Sequence, residues 1–357
     1  MGAIHPKVVF LSATGWLGGP SRSLATVLRH RHKPEWSVLA SPPGELPDLV
    51  RAQGTAGEFV SLFRHPRWRR ISRLVTGIKV SIWLVRHHET VRAVHANGLS
   101  ELNAIGLGAL LTRTPVVVWS HASRTSPIAG RMASLWARWL PSVQWAAVSD
   151  IASQALRSTA RLSEETVKMI PNPIELPEAV PSPSQRSGLR IGYFSQASES
   201  KGFWVLLETA KILLDLRIEW WLFTHLIPES PAWNAATAIR TLRVKGRVQD
   251  VGPAYQECDI VFCPSLSESF GRIAAEAMAH GLPVVASDIA AFRNLIGEDE
   301  AGLLFPPRDS LSAARAIRRL VADQPLRVRL GETGKRQAAR LSPSLIVPRL
   351  ERMYGTK

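Results

Sequence analysis

The chain has 357 residues, 45% of them hydrophobic and 20% charged, a balance that excludes a disordered protein. Domains run to ~100–200 residues, so this length exceeds one ordinary core, and no apolar run approaches the ~20 residues of a membrane span. The net charge of +15 is uneven, with 21 Lys and Arg against 11 Asp and Glu in residues 1–180, and 23 against 18 in the rest. Met1–Lys7 runs straight into Val8-Val9-Phe10-Leu11, which is short and lacks a cleavage-type tail. It reads as a first strand, not a signal peptide, and the expected location is cytoplasmic. Strand-like runs follow at Trp36–Ala40, Glu58–Leu62, Arg92–His95, Pro115–Trp119, Trp145–Val148 and Val167–Ile170. Between them lie the amphipathic stretches Ser21–His30, Leu74–His87, Glu101–Leu111 and Ile151–Thr159. This alternation predicts a parallel sheet flanked by helices.

A break then appears. Five prolines fall between positions 171 and 183, and proline at that density removes backbone donors and blocks helix. Alternation restarts with strands at Leu189–Phe194, Glu219–Phe223, Asp259–Pro264, Pro283–Ser287 and Gly302–Phe305. Helices are predicted at Phe203–Leu216, Trp233–Arg243 and Phe270–His280, and through an interrupted tail from Ser310 to Tyr354. The expected division is 1–172, a linker 173–188, a second domain 189–341, and a final helix 342–357. Two α/β halves would leave a cleft, a favoured ligand site. Cys258 and Cys263 have no partner pair elsewhere, so buried packing in a reducing compartment is the reading, not zinc.

The most informative segment runs from Pro264 to Ala286: P-S-L-S-E-S-F-G-R-I-A-A-E-A-M-A-H-G-L-P-V-V-A. A buried strand ends at Pro264, a polar loop carries Glu268, and Gly271 opens an alanine-rich helix. A helix amino terminus presents unpaired N–H groups and partial positive charge, which suits a diphosphate. Glu276 lies farther along the helix and can accept hydrogen bonds from vicinal hydroxyls. An isolated pair of glutamates eight apart reads as a cap and a surface residue; this context does not.

The segment resembles the donor-site signature of GT-B retaining glycosyltransferases, in particular the family numbered four, glycosyl transferases group 1. The resemblance extends over nearly the whole chain. It implies an α/β GT-B fold, two Rossmann-like α/β/α domains facing across a cleft, with the C-terminal helix crossing back to the N-terminal domain. It implies that Glu268 sits by the transferred sugar, that Glu276 grips the nucleotide ribose, and that Ser269, Phe270 and Gly271 offer N–H groups to the phosphates. Thr14-Gly15-Trp16-Leu17-Gly18-Gly19-Pro20-Ser21-Arg22 follows the first strand. The family uses that loop against donor diphosphate and acceptor, so Gly18 and Gly19 are assigned to the donor and Arg22 to the acceptor. A dinucleotide-binding turn is the alternative, but the G-x-G-x-x-G spacing is absent. His121 follows a strand at its carboxyl end, where the family has a histidine beside the reacting sugar; a capping or core histidine is the bland reading. His95 and Asn97, in Val94-His95-Ala96-Asn97-Gly98, are placed on the acceptor side.

Lys201 matches a family lysine on the donor phosphates, whereas Gln196 stands where the family has an arginine. Glutamine offers hydrogen bonds but no charge against a departing diphosphate, so another cation must compensate. No Asp-x-Asp cluster is present to hold a metal, and neither cofactor nor metal is expected; the nucleotide sugar is a substrate. The reaction implied is transfer of a hexose-type sugar to a hydroxyl of a saccharide or lipid-linked acceptor, with anomeric configuration retained. Arg64, Arg67, Trp68, Arg69, Arg70 and Arg73 form the densest basic stretch, a field for an anionic membrane at the inner face of the plasma membrane, or a solvated face of a basic protein. A GT-B-like nucleotide-sugar epimerase and a basic nucleic-acid-binding protein are the competing readings. Nucleic acid is disfavoured because no zinc-finger or helix-turn-helix signature is present.

Overall fold

The computed structural model describes residues 7–12, 14–33, 37–62, 69–124, 126–177, 188–297 and 300–355, with backbone alone at 69–74. The chain divides into two compact units, one comprising Met1–Pro173 with Pro343–Lys357 and the other Ile174–Ser342.

The first unit is built on seven strands: β1 (Lys7–Leu11), β2 (Ser37–Ser41), β3 (Glu58–Ser61), β4 (Val91–Ala96), β5 (Val116–Ser120), β6 (Val143–Ala147) and β7 (Val167–Met169). Helices alternate with them: α1 (Gly19–His30), α2 (Glu45–Ala52), α3 (Arg69–His87), α4 (Leu99–Thr112), α5 (Pro127–Trp139) and α6 (Asp150–Ala160). The strands lie in the order β3-β2-β1-β4-β5-β6-β7, and every pairing is parallel. All five residues of β5 are buried, as expected of a parallel sheet with helices on both faces.

The second unit repeats the plan with β8 (Leu189–Tyr193), β9 (Ile218–Leu222), β10 (Leu242–Val244), β11 (Ile260–Cys263), β12 (Val284–Ser287) and β13 (Gly302–Phe305). Its helices are α7 (Phe203–Ile212), α8 (Pro231–Thr237), α9 (Gly252–Gln256), α10 (Arg272–Ala279), α11 (Ala290–Ile296), α12 (Ser310–Ala322) and α13 (Gln324–Ala339). The order is β10-β9-β8-β11-β12-β13, again all parallel. Trp220, Tyr193, Phe203 and Phe262 are fully buried in one core cluster. The sheet order reverses direction between β1 and β4, and between β8 and β11. Open parallel sheets bind ligands beyond the carboxyl ends of their strands at such switch points.

The last helix, α14 (Pro343–Glu351), continues as a 3-10 turn over Arg352–Tyr354 and belongs to the first unit. It is tied along several strands. Gln144 Nε2 donates to the Met353 carbonyl at 2.7 Å, and Arg92 Nε to that of Tyr354 at 3.0 Å. Arg31 pairs with Glu351 at 3.4 Å, and its guanidinium lies 5.0 Å from the Phe10 ring centroid.

The structure corrects the sequence pattern in places. Helix is expected through Trp233–Arg243, yet α8 stops at Thr237 and Leu242–Val244 pairs along β9 as an edge strand. Helices α2, α5, α9 and α11 occupy stretches for which no element is expected. Of the basic stretch, Arg64, Arg67 and Trp68 lie outside the described residues, and of Arg69, Arg70 and Arg73 only their place in α3 is described. Among the described residues no helix is long and apolar enough to cross a membrane.

Candidate functional site

In the second unit the loops after β8 and β11 are pressed together at the switch point. Gly202 has φ +66°, and a Cβ there would sit 1.9 Å from the Pro264 carbonyl oxygen, so only glycine fits. Ser200 accepts the Leu266 N–H at 2.9 Å. Buried Tyr193 donates its hydroxyl to the carbonyls of Gln196, at 2.7 Å, and Lys201, at 3.2 Å. This stitching brings Lys201 Nζ to 2.6 Å from Glu268 Oε1. Both side chains are mostly covered, so the pair is shielded better than a surface salt bridge.

Gly271, at φ +88°, turns the chain into α10. The helix's first residue, Arg272, pairs with Glu276 one turn on, Nε to Oε1 at 2.7 Å. Tyr255 donates to the other carboxylate oxygen at 3.0 Å, and the His280 ring packs on Tyr255 at 5.1 Å between centroids. Burial holds the His280 imidazole below its ordinary pKa. Beneath the loop, burial pushes the Cys263 thiol up, and Glu268 adds to the effect. That thiol stays protonated. The expected residues Lys201 and Glu268 are therefore in contact, and Ser269, Phe270, Gly271 and Glu276 follow on one loop and helix mouth. Phe270 is buried. Gln196 is exposed, and its carbonyl is what the fold engages.

The structure adds Arg272, Tyr255 and His280 to this constellation. The spacing of Arg272 to Glu276, four positions on a predicted helix, is the signal that identifies the first. Nothing in the sequence announces Tyr255, which arrives from α9.

The first unit carries a second constellation at its own switch point. Gly15 packs under the Pro42-Pro43 backbone, where a Cβ would stand 2.4 Å from the Pro43 oxygen. Leu17 N–H donates to Glu45 Oε2 at 3.0 Å. Gly18 caps α1 and Gly19 begins it. Asn97 Nδ2 donates to the Pro20 carbonyl at 3.3 Å, and Asn97 Oδ1 lies 3.0 Å from His121 Nε2. A carbonyl can only accept, so Pro20 fixes the amide and turns its oxygen towards the imidazole. The proton of His121 therefore sits on Nε2. Asn97, His121 and the glycine mouth are thus brought together, with Arg22 one turn into α1.

His95 is a correction. Expected on the acceptor side, it is completely buried, its Nδ1 at 2.9 Å from the Tyr354 hydroxyl and its ring 5.3 Å from that of Phe10. Burial drives its pKa down to about 3, with Asn97 opposing and Arg31 adding to the shift. It is a neutral core residue because β4 is covered on both faces. Among the described residues no group of three His, Cys, Asp or Glu side chains gathers closely enough to hold a metal.

The chain is similar to known proteins in sequence and in fold. Residues 188–323 match the family described as Glycosyl transferases group 1. The phosphatidyl-myo-inositol mannosyltransferase of Mycobacterium leprae is 28% identical over 351 residues, 93% of this chain and 91% of that one. A D-inositol 3-phosphate glycosyltransferase of Corynebacterium diphtheriae is 33% identical over 124 residues, 32% of this chain and 29% of that protein. Among solved structures, Anabaena HepE in complex with UDP and glucose superposes with a TM-score of 0.82 at 21% identity, covering 98% of this chain and 99% of that one. Sucrose-phosphate synthase from Thermosynechococcus elongatus gives 0.76 at 17% identity, with 98% of each chain covered. Residues 188–323 carry the glycosyl transferases group 1 signature, and the chain is a glycosyltransferase of GT-B type.

Proposed function

We propose that the protein moves a hexose-type sugar from a nucleoside-diphosphate sugar to a hydroxyl of a lipid-linked or saccharide acceptor, with retention of anomeric configuration. The observation that carries the donor half is the alternation of charge at the second switch point: Lys201 against Glu268, then Arg272 against Glu276 at the mouth of α10. A nucleotide sugar presents the matching alternation, hydroxyls on sugar and ribose with anionic phosphates between. Lys201, Arg272 and the N–H groups at Ser269–Gly271 take the diphosphate, and Glu268 and Glu276 take the hydroxyls. Arg272 supplies the second cation that Gln196 does not. HepE, whose fold is alike, is named with UDP and glucose, which supports a nucleotide-linked donor.

As the bond from the anomeric carbon to the phosphate oxygen loosens, negative charge grows on the departing diphosphate. Fixed cations at that oxygen then stabilise the transition state more than the ground state. Glu268 orients the sugar, and the acceptor attacks from the face the diphosphate leaves, its proton passing to a phosphate oxygen. On the acceptor side, Asn97 holds His121 with its Nε2 proton committed, so His121 positions a hydroxyl in place of abstracting its proton through that nitrogen. The mannosyltransferase relatives are named for phosphatidyl-myo-inositol, which favours a polyol bearing a phosphate or lipid as acceptor.

Heat protection by a panel of UDP-, GDP- and ADP-sugars tests the donor. A shift with one nucleotide is expected in wild type and not in Glu276→Ala. Protection of Glu276→Ala equal to wild type would remove the ribose assignment. Release of free epimerised donor without acceptor would replace the reading with an epimerase.

A further inference from the structure

Three helices of the first unit stand side by side and leave a large apolar surface uncovered. Gly77 of α3 lies under α4, where a Cβ would meet the Ala104 carbonyl oxygen at 2.6 Å, and Gly108 of α4 lies against Ser81. On its other flank α4 receives Trp136 of α5 over Gly106. Helix geometry then fixes what points outward, because each residue turns the side chain by about 100°. On α3, Val80 and Leu84 face the core, and Ile78, Ile82 and Val85 come round to the outer side next to α4; all three are exposed. On α4, Leu102, Ile105 and Ala109 are buried, and Leu107 and Leu111 point directly away at 57% and 67% exposure. On α5, Ala133 and Trp136 face inward, and Ile128, Met132, Leu135 and Trp139 emerge on the side leaning to α4. The three stripes converge over Leu107 and Leu111.

Scattered exposed apolar residues need no explanation, but a continuous field of them marks a binding surface. Charge decides what it binds. Lys79 and Arg86 border it on α3, Arg131 and Arg138 on α5, and Arg113 at the end of α4, all exposed. Neither α3 nor α5 contains an acid, and the one acid of α4, Glu101, is buried. A second copy would bring two such cationic borders together, whereas an anionic lipid leaflet neutralises them while its acyl region takes the leucines and Trp139. We infer that the outer face of α3, α4 and α5 is the surface by which this protein lies on an anionic membrane. The inference is independent of the donor assignment, and it rests on the described side chains of α3, α4 and α5.

The test is co-sedimentation of the full chain with phosphatidylcholine vesicles, alone or with about one-third phosphatidylglycerol. Wild type binds the mixed vesicles, is released by salt as surface charge is screened, and binds neutral vesicles far more weakly. Leu107→Asn/Leu111→Asn and, separately, Arg131→Glu/Arg138→Glu each weaken binding about tenfold. Both variants keep the wild-type melting curve and heat protection by the nucleotide sugar, which separates this result from a failure of the catalytic reading. Either double variant sedimenting like wild type, or equal binding of wild type to neutral vesicles, overturns the proposal. So does a concentration-dependent dimer that Leu107→Asn/Leu111→Asn dissolves, which would make the face an interface between copies.

Discussion

Gly18 and Gly202 look alike in the sequence, each ahead of a helix, but the structure requires glycine at only one of them. Gly202 has a left-handed backbone and a carbonyl where its Cβ would stand. Gly202→Ala should cost about 2–4 kcal/mol and lower the melting temperature. Gly18 has φ −84°, and a Cβ added there meets nothing within 4 Å. Its smallness serves no packing purpose inside the protein, and in the proposed donor role it would give a substrate group room to approach the backbone. Gly18→Val should melt within about 0.5 kcal/mol of wild type and lose at least about tenfold in transfer rate. Equal activity in that variant would show the mouth of α1 to be an ordinary turn. Lys201 and Glu268 depend on each other in the same local way. Lys201→Ala releases Glu268 and, in the proposed donor role, would remove a cation from the leaving phosphate, so a loss of about 10²–10³ in turnover is expected, with Glu268→Ala comparable. A Lys201→Arg variant that recovers part of the rate would mark charge as the missing quantity.

His95 sets a pH dependence. Its pKa is about 3 in the fold, against about 6.5 in an unfolded chain. The unfolded state therefore takes up a proton that the folded state refuses. Stability is full above about pH 6.5 and falls as pH drops towards 3, by at most about 1.4 kcal/mol per unit from this group. His280, shifted down by burial too, acts in the same direction. Urea unfolding at pH 7 and pH 5.5 should show the loss, and a folded His95→Asn variant should show less of it. An unchanged difference in the variant would remove His95 as its source.

At the scale of elements, the core strands were legible because parallel strands buried on both faces leave apolar runs such as Val116-Val117-Val118-Trp119. The motif from Pro264 to Ala286 likewise declared a strand, loop and helix. What stayed hidden depended on partners far along the chain. Leu242–Val244 is three residues long and gains its strand character from β9. Helix α2 follows Pro42-Pro43-Gly44 and contains Pro47, so local signals read as loop. Its place is fixed by Leu46 N–H donating to the Gly15 carbonyl at 2.7 Å. The donor-side loops were readable as residue types, yet the contact between Lys201 and Glu268, 67 positions apart, was not. That contact needs β8 and β11 to be neighbours, a matter of sheet order. His95 failed for a related reason: a histidine ending a strand is compatible with a ligand edge or a core, and only Tyr354, 259 residues later, decides between them.

The whole molecule is two units of which the first is discontinuous, since residues 343–357 complete it. Tyr354 and Met353 are buried there, and Tyr354→Phe would leave His95 Nδ1 without its hydroxyl at a cost of about 1–3 kcal/mol. Ending the chain at Ser342 should therefore destabilise the first unit, not the second to which the cut is adjacent in sequence. Limited proteolysis of that truncated chain should digest the first unit and leave a resistant fragment near 188–342. A resistant first unit would mean that the tail is dispensable.

The same discontinuity governs the order of events on the ribosome. Domains ordinarily fold in the order they emerge, at about 5–20 residues per second. Here the amino-terminal half must wait, its ledge beside Phe10 and His95 open to water, until translation has passed through the entire other half. The later-made half can close first. The nascent chain thus carries an unfinished, strongly cationic amino-terminal sheet for several seconds or more, a window in which chaperone capture or an early stop codon has its greatest effect on yield.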